Sequence, residues 1–91
     1  MFIYVTAEAG YVATEMGILC IEIDQNPVLD EDECREAASY LGKTFVRSTQ
    51  EAHFPTGCYF FGNGNAYWNV HKFGLRRSDT AVICRNIGSN F

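Results

Sequence analysis

The 91-residue sequence has no apolar run that approaches the ~20 residues needed by a membrane-spanning helix, so we expect no transmembrane segment. Basic residues are few, since seven Lys and Arg stand against eleven Asp and Glu, for a net charge of −4. This balance argues against a general nucleic-acid binder, whose affinity comes from neutralising phosphates. Apolar residues make up 47% of the chain and charged residues 20%, which is typical of a folded protein. Its length predicts one domain over residues 1–91, because independent cores usually need on the order of 100 residues.

Close-spaced cysteine pairs are also missing. The four cysteines include no C-x-x-C pair, and only two histidines accompany them, so the spacing argues against a structural zinc site. Small secreted domains need covalent stabilisation, and we therefore expect two disulfides. Four reduced, buried thiols in a cytosolic protein are the alternative. The cysteines are Cys20, Cys34, Cys58 and Cys84.

Four cysteines allow three disulfide connectivities, and the sequence does not choose among them. We favour Cys34–Cys58, which would join a helix to a strand, together with Cys20–Cys84, which would join an early segment to the last strand. Disulfides indicate an extracellular or organelle-lumen location, the thylakoid lumen included. The apolar start of the chain has no preceding basic residue and is interrupted at Glu8, so it is not a signal-peptide core. Any targeting segment is expected to have been removed from this chain.

The sequence predicts one helix, over residues 30–41. Asp30 is suited to cap its N-terminus, and Glu33 follows three residues later, as in a capping box. Cys34 starts an apolar stripe at helical spacing that continues through two alanines to Leu41, and Gly42 is suited to end the helix.

The remaining ordered segments are predicted to be strands, because they are rich in β-branched and aromatic residues. Two of them flank the turn at residues 62–65 and predict a β-hairpin. Strands outnumber helices and do not alternate with them, which favours an α+β fold with a small antiparallel sheet of four to five strands packed on one helix. The predicted strands are 2–6, 18–23, 45–46, 58–61, 66–70 and 80–84.

An aromatic and amide-rich surface around the hairpin is the main candidate for binding. Stacked rings beside amides hold sugar rings, and they also anchor protein interfaces; packing into the core is the alternative to both roles. Charge is uneven along the chain, because residues 1–42 carry nine acids and one base whereas residues 43–91 carry two acids and six bases. The bases after the hairpin could orient a protein partner. The candidate binding residues are Tyr59, Phe61, Asn63, Asn65, Tyr67, Trp68, His71, Lys72, Arg76 and Arg77.

Catalysis has little support in the sequence. A cysteine paired with His53 or His71 could act as a nucleophile, but a disulfide-bonded sulfur cannot attack a substrate. The glycines of the hairpin do not follow a phosphate-binding pattern. We therefore expect no enzyme, no catalytic residue, no cofactor and no metal, and instead a structural or interaction subunit with a protein partner or self-assembly. A carbohydrate-binding module is the alternative.

Several motifs resemble a known kind of module. They are C-R-E-A-A-S-Y-L-G (34–42), P-T-G-C-Y-F-F (55–61), A-Y-W-N (66–69), Gly74 and V-I-C (82–84). Together they resemble a small cysteine-paired module of predicted extracellular and lumenal algal and protist proteins, over roughly residues 20–85. They are more distantly similar to PAN/apple modules, whose cysteine count and spacing differ from those of this chain. The resemblance implies a disulfide-stabilised interaction domain without known catalysis, such as an accessory subunit of an algal membrane complex.

Peptide mapping without reduction distinguishes the three connectivities. We expect linked peptides that contain Cys34 with Cys58 and Cys20 with Cys84. Four free thiols would contradict both the disulfides and the location that they indicate.

Overall fold

The computed structural model describes residues 10–86, and the fold is given for these residues alone. They form one α-helix, one short 3-10 helix and six β-strands. The strands are β1 (Gly10–Ala13), β2 (Asn26–Pro27), β3 (Thr44–Thr49), β4 (Gly57–Phe61), β5 (Asn65–Asn69) and β6 (Thr80–Asn86); the 3-10 helix spans Cys20–Ile23 and α1 spans Glu31–Tyr40.

The strands form one mixed sheet in the order β1-β6-β4-β5-β3, and β2 pairs with the Cys84–Arg85 end of β6. The α+β class is confirmed, but the expected antiparallel sheet of four to five strands is wrong on two counts. Among the described residues the sheet has six strands, and two of them, β1 and the two-residue β2, were not predicted. In addition, β3 runs parallel to β5. The chain passes from β3 to β4, and the hairpin then brings β5 back between these two strands in the direction of β3. The predicted strand at 2–6 lies outside the described residues.

The predicted strand at 18–23 is also wrong, because the chain forms the 3-10 helix there. Local hydrogen bonds explain the difference. The Glu22 carboxylate accepts a hydrogen bond from the backbone N–H of Leu19 at 2.7 Å, and the Glu22 N–H donates to the Leu19 carbonyl at 2.9 Å. Asp24 then ends the helix with a left-handed φ of 63°. The β-branched residues of this segment favour a strand, but the side-chain cap stabilises the turn instead.

The predicted helix is confirmed with its caps. The Asp30 side chain accepts a hydrogen bond from the Glu33 N–H at 2.8 Å. At the other end Gly42 has a left-handed φ of 75°, and the Lys43 N–H donates to the Ala38 carbonyl at 2.7 Å. This is the glycine-terminated ending that the sequence predicts.

The sheet has one face that packs on α1, here called the helix face, and an opposite face, here called the open face. Each face carries one disulfide, and the favoured connectivity is the one found. Cys34–Cys58 joins α1 to β4 on the helix face, with a Cα–Cα distance of 5.4 Å. Cys20–Cys84 joins the 3-10 helix to β6 on the open face, with a Cα–Cα distance of 5.7 Å. The sheet is therefore covalently tied to the segments that cover both of its faces.

Replacing Cys34 and Cys58 together by alanine should lower the free energy of unfolding by about 3–4 kcal/mol, because the bond closes a loop of 24 residues in the unfolded chain. Urea unfolding followed by the fluorescence of Trp68 measures the change. A loss below about 1 kcal/mol would show that the helix is held to the sheet by packing alone.

Candidate interaction surface

Four aromatic rings form a cluster on the open face, here called the ring cluster. Tyr59 lies at its centre, stacked on Phe54 with ring centroids 5.4 Å apart and on Tyr67 at 5.5 Å. Phe61 meets these three rings edge-on at 5.7–5.9 Å. β4 and β5 supply three of the rings at alternate positions, whereas Phe54 comes from the loop that precedes β4.

Two arginines enclose the stack. The Arg77 guanidinium lies 4.3 Å from the centroid of Phe54, and that of Arg47 lies 5.5 Å from the centroid of Tyr67. Arg77 also donates two hydrogen bonds to the Asp79 carboxylate, at 2.8 and 2.9 Å, and these hold the pKa of Asp79 below its usual value. Cations over aromatic faces are attracted to the ring quadrupole, so the rings and arginines form one continuous stack.

The predicted aromatic surface is divided between the two faces of the sheet. Tyr59 is only 2% exposed, and its burial raises the pKa of its phenol. Trp68 packs against the core on the helix face, away from the ring cluster. Asn63 lies in the hairpin turn, where its side chain accepts a hydrogen bond from the Asn65 N–H at 3.0 Å. The structure therefore brings Tyr59, Phe61 and Tyr67 together on the open face and places Trp68 on the opposite face.

A buried amide organises the loops beside the ring cluster. Asn69 at the end of β5 is fully buried, and its Nδ2 donates to the backbone carbonyls of Glu51, Phe54 and Pro55 at 2.8–3.1 Å. Its Oδ1 accepts from the N–H groups of Glu51 and His71 at 2.9 and 3.1 Å. The residues next to Asn69 in the sequence do not predict this role, because the loop that it holds lies 14–18 residues earlier in the chain.

The loop at residues 70–77, here called the outer loop, rests on that anchored segment. The Leu75 N–H donates to the Phe54 carbonyl at 3.0 Å, and the Gly74 N–H donates to Thr56 Oγ1 at 2.7 Å. A Cβ at Gly74 would overlap the Phe54 carbonyl oxygen, so this close approach requires glycine. His71, a predicted binding residue, accepts a hydrogen bond from the Phe73 N–H at Nδ1, 3.1 Å away, and so braces the loop.

Large apolar side chains project from this ordered region into solvent. Phe73 is 81% exposed and Leu75 57%, and Ile21 of the 3-10 helix is 81% exposed. A groove of about 310 Å³ on the open face separates the 3-10 helix from the outer loop. Its lining includes Leu19, Cys20, Ile21, Pro27, Gly74 and Val82.

Charges border the groove and connect its two walls. Arg76 of the outer loop contacts Glu22 of the 3-10 helix at 2.7 Å. The Leu19 N–H, and after it Arg76, lower the pKa of Glu22. Lys72 is exposed and makes no ion pair with any residue from 10 to 86. Of the three predicted basic residues, Arg76 and Arg77 are therefore paired within the chain, and Lys72 has no ion pair among the described residues.

The sequence prediction missed Ile21, Phe73 and Leu75. Ile21 was predicted to lie in a strand, and the other two lie in a segment without strand or helix periodicity. The available signal was the K-F-G-L-R run at 72–76, where apolar and basic residues surround a glycine.

No protein-family model, no curated protein and no solved structure matches this chain. The resemblance to cysteine-paired algal and PAN/apple modules therefore stays a prediction. Between residues 10 and 86 no helix is both long and apolar enough to cross a membrane.

Replacing Asn69 by alanine should lower the free energy of unfolding by about 3 kcal/mol, because it leaves several buried backbone groups without partners. It should also raise the hydrogen-exchange rate of the Leu75 amide, whose acceptor belongs to the segment that Asn69 holds. Asn65→Ala in the same strand is the control and should change stability by less than about 0.5 kcal/mol. Equal effects of the two variants would contradict the anchoring role.

Proposed function

We propose that this protein is a non-catalytic interaction subunit that joins a larger protein assembly through the groove and the outer loop. The exposure of Phe73 carries the proposal. This residue is 81% exposed, although the loop that holds it is fixed by hydrogen bonds from its backbone N–H groups. Ile21 and Leu75 extend the exposed apolar surface on both sides of the groove.

The energetics favour a protein contact at this position. Moving an exposed Phe side chain out of water contributes roughly 1.5–3 kcal/mol. A loop that is already ordered loses little conformational entropy when it binds, so more of this energy remains as affinity. Aromatic anchors in such positions contribute most of the binding energy at many protein interfaces.

The four cysteines and His71, which were considered for catalysis, are engaged in structural contacts. All four cysteines form disulfides, so no thiolate is available as a nucleophile. Two acids at the start of α1 also have structural partners, because Asp30 caps the helix and Glu33 contacts Arg85 at 2.9 Å. These contacts support a role without catalysis.

The two disulfides support an oxidising compartment, either extracellular or the lumen of an organelle. The motif resemblance points the same way and suggests an accessory subunit on the lumenal or extracellular side of an algal membrane complex. In that setting a small rigid subunit would act by surface contact.

The native mass of the tagged protein, measured in extracts of the cells that make it, tests the proposal. We expect a mass well above the 10.2 kDa of one chain. The double variant F73D/L75D should lose the larger species, because a carboxylate would have to be buried in an apolar interface. L29D is the matched control, since Leu29 is also 65% exposed but lies at the start of α1. A single-chain mass for the wild type, or unchanged complexes with F73D/L75D, would contradict the proposal.

A further inference from the structure

The proposed interaction surface carries both a groove and an exposed phenylalanine, Phe73, whose ring is of a size that fits such a groove. An apolar cavity of roughly 150 Å³ can hold a benzene molecule, so the groove of about 310 Å³ has room for a phenyl ring. Phe73 is adjacent in the chain to Gly74, which lines the groove, yet its own ring stays in solvent. A projecting ring and a receiving groove on one patch are the parts that a two-fold symmetric contact needs.

The charges at this patch are balanced rather than of one sign. Arg76 pairs with Glu22 across the groove, and Arg77 pairs with Asp79. Two exposed charges remain without an ion pair to any residue from 10 to 86, and they have opposite signs. Asp24 ends the 3-10 helix on one wall, and Lys72 lies in the outer loop on the other. A patch with one unpaired charge of each sign complements a copy of itself better than it complements a strongly acidic or basic partner.

We propose that the partner at this surface is a second copy of the chain, in an isologous dimer. Phe73 of each protomer enters the groove of the other, and Lys72 contacts Asp24 of the partner subunit. The proposal rests on the proposed function and names the occupant of its surface. The assembly that forms through the groove and the outer loop is then a dimer of this chain.

The apolar centre of the patch is small, so we expect a dimer whose formation depends on concentration. Three exposed apolar side chains on each protomer place the interface at the low end of the size range for specific contacts. We therefore expect a dissociation constant on the order of 10–100 µM, equivalent to about 5.5–7 kcal/mol.

Sedimentation of the purified, disulfide-intact protein tests for the dimer. Protein concentrations from ~10 µM to ~1 mM cover the expected dissociation constant. The mean mass of the wild type should rise from one chain toward two. F73A should stay monomeric, because the groove loses the ring that fills it, and L29A should dimerise like the wild type. A monomeric wild type at ~1 mM, or an F73A variant that dimerises equally well, would overturn the proposal.

Charge reversal tests the symmetry of the contact. K72E and D24K should each weaken self-association by roughly tenfold or more, since each places like charges opposite one another at both symmetry-related contacts. An equimolar mixture of the two variants should dimerise again, because both contacts then join opposite charges. Failure of the mixture to associate, with both variants folded, would contradict the Lys72–Asp24 contact.

Two further measurements separate loss of folding from loss of self-association, and a second copy from a different partner. Asp24 has a left-handed φ, so the unfolding curve of D24K is measured first. If D24K does not fold, F73A and K72E still decide the proposal, because neither changes a left-handed position. If the purified wild type stays monomeric while complexes in cell extracts depend on Phe73, the occupant is a different protein. That outcome would overturn the dimer and leave the proposed function standing.

Discussion

Covalent attachment of both sheet faces is the constraint on which the rest of this small structure depends. Cys34–Cys58 holds α1 against the helix face, where Ala37 and Ala38 let the helix approach closely. Cys20–Cys84 holds the 3-10 helix on the open face and so fixes one wall of the groove. A domain of this size buries too little apolar surface to be very stable without such bonds. The sheet can therefore support exposed apolar side chains whose exposure would be a liability in a less constrained fold.

The buried amide of Asn69 extends this order from the sheet to the loops. It satisfies backbone groups of the segment before β4, and that segment in turn accepts hydrogen bonds from Gly74 and Leu75. Phe54 belongs to the same segment and contributes its ring to the ring cluster, where Arg77 lies over it. One side chain thus connects β5, the ring cluster and the outer loop. The cluster itself acts mainly as packing for the open face, since its central ring is buried.

Apart from the disulfide pairing, the features that the sequence predicted correctly are those encoded by neighbouring residues. The caps at Asp30 and Gly42 and the hairpin turn depend on local backbone chemistry, and each is found where expected. The parallel pairing of β3 depends on contacts distant in sequence, which no local pattern records. The segment around Ile21 was misassigned because its β-branched residues favour a strand, while the Glu22 cap and the bond at Cys20 impose a turn. The candidate surface was predicted only in part, because exposure of Phe73 follows from how two loops meet.

Phe73 and Leu75 are presented on a loop that we expect to be as rigid as the strands, so that binding requires little ordering. Backbone ¹⁵N relaxation of the disulfide-intact protein tests this claim most directly. We expect order parameters near 0.85 for residues 70–77, equal to those of β4 and β5. Values below about 0.6 in the loop, with the strands still rigid, would show that the surface is not preorganised and would contradict the account.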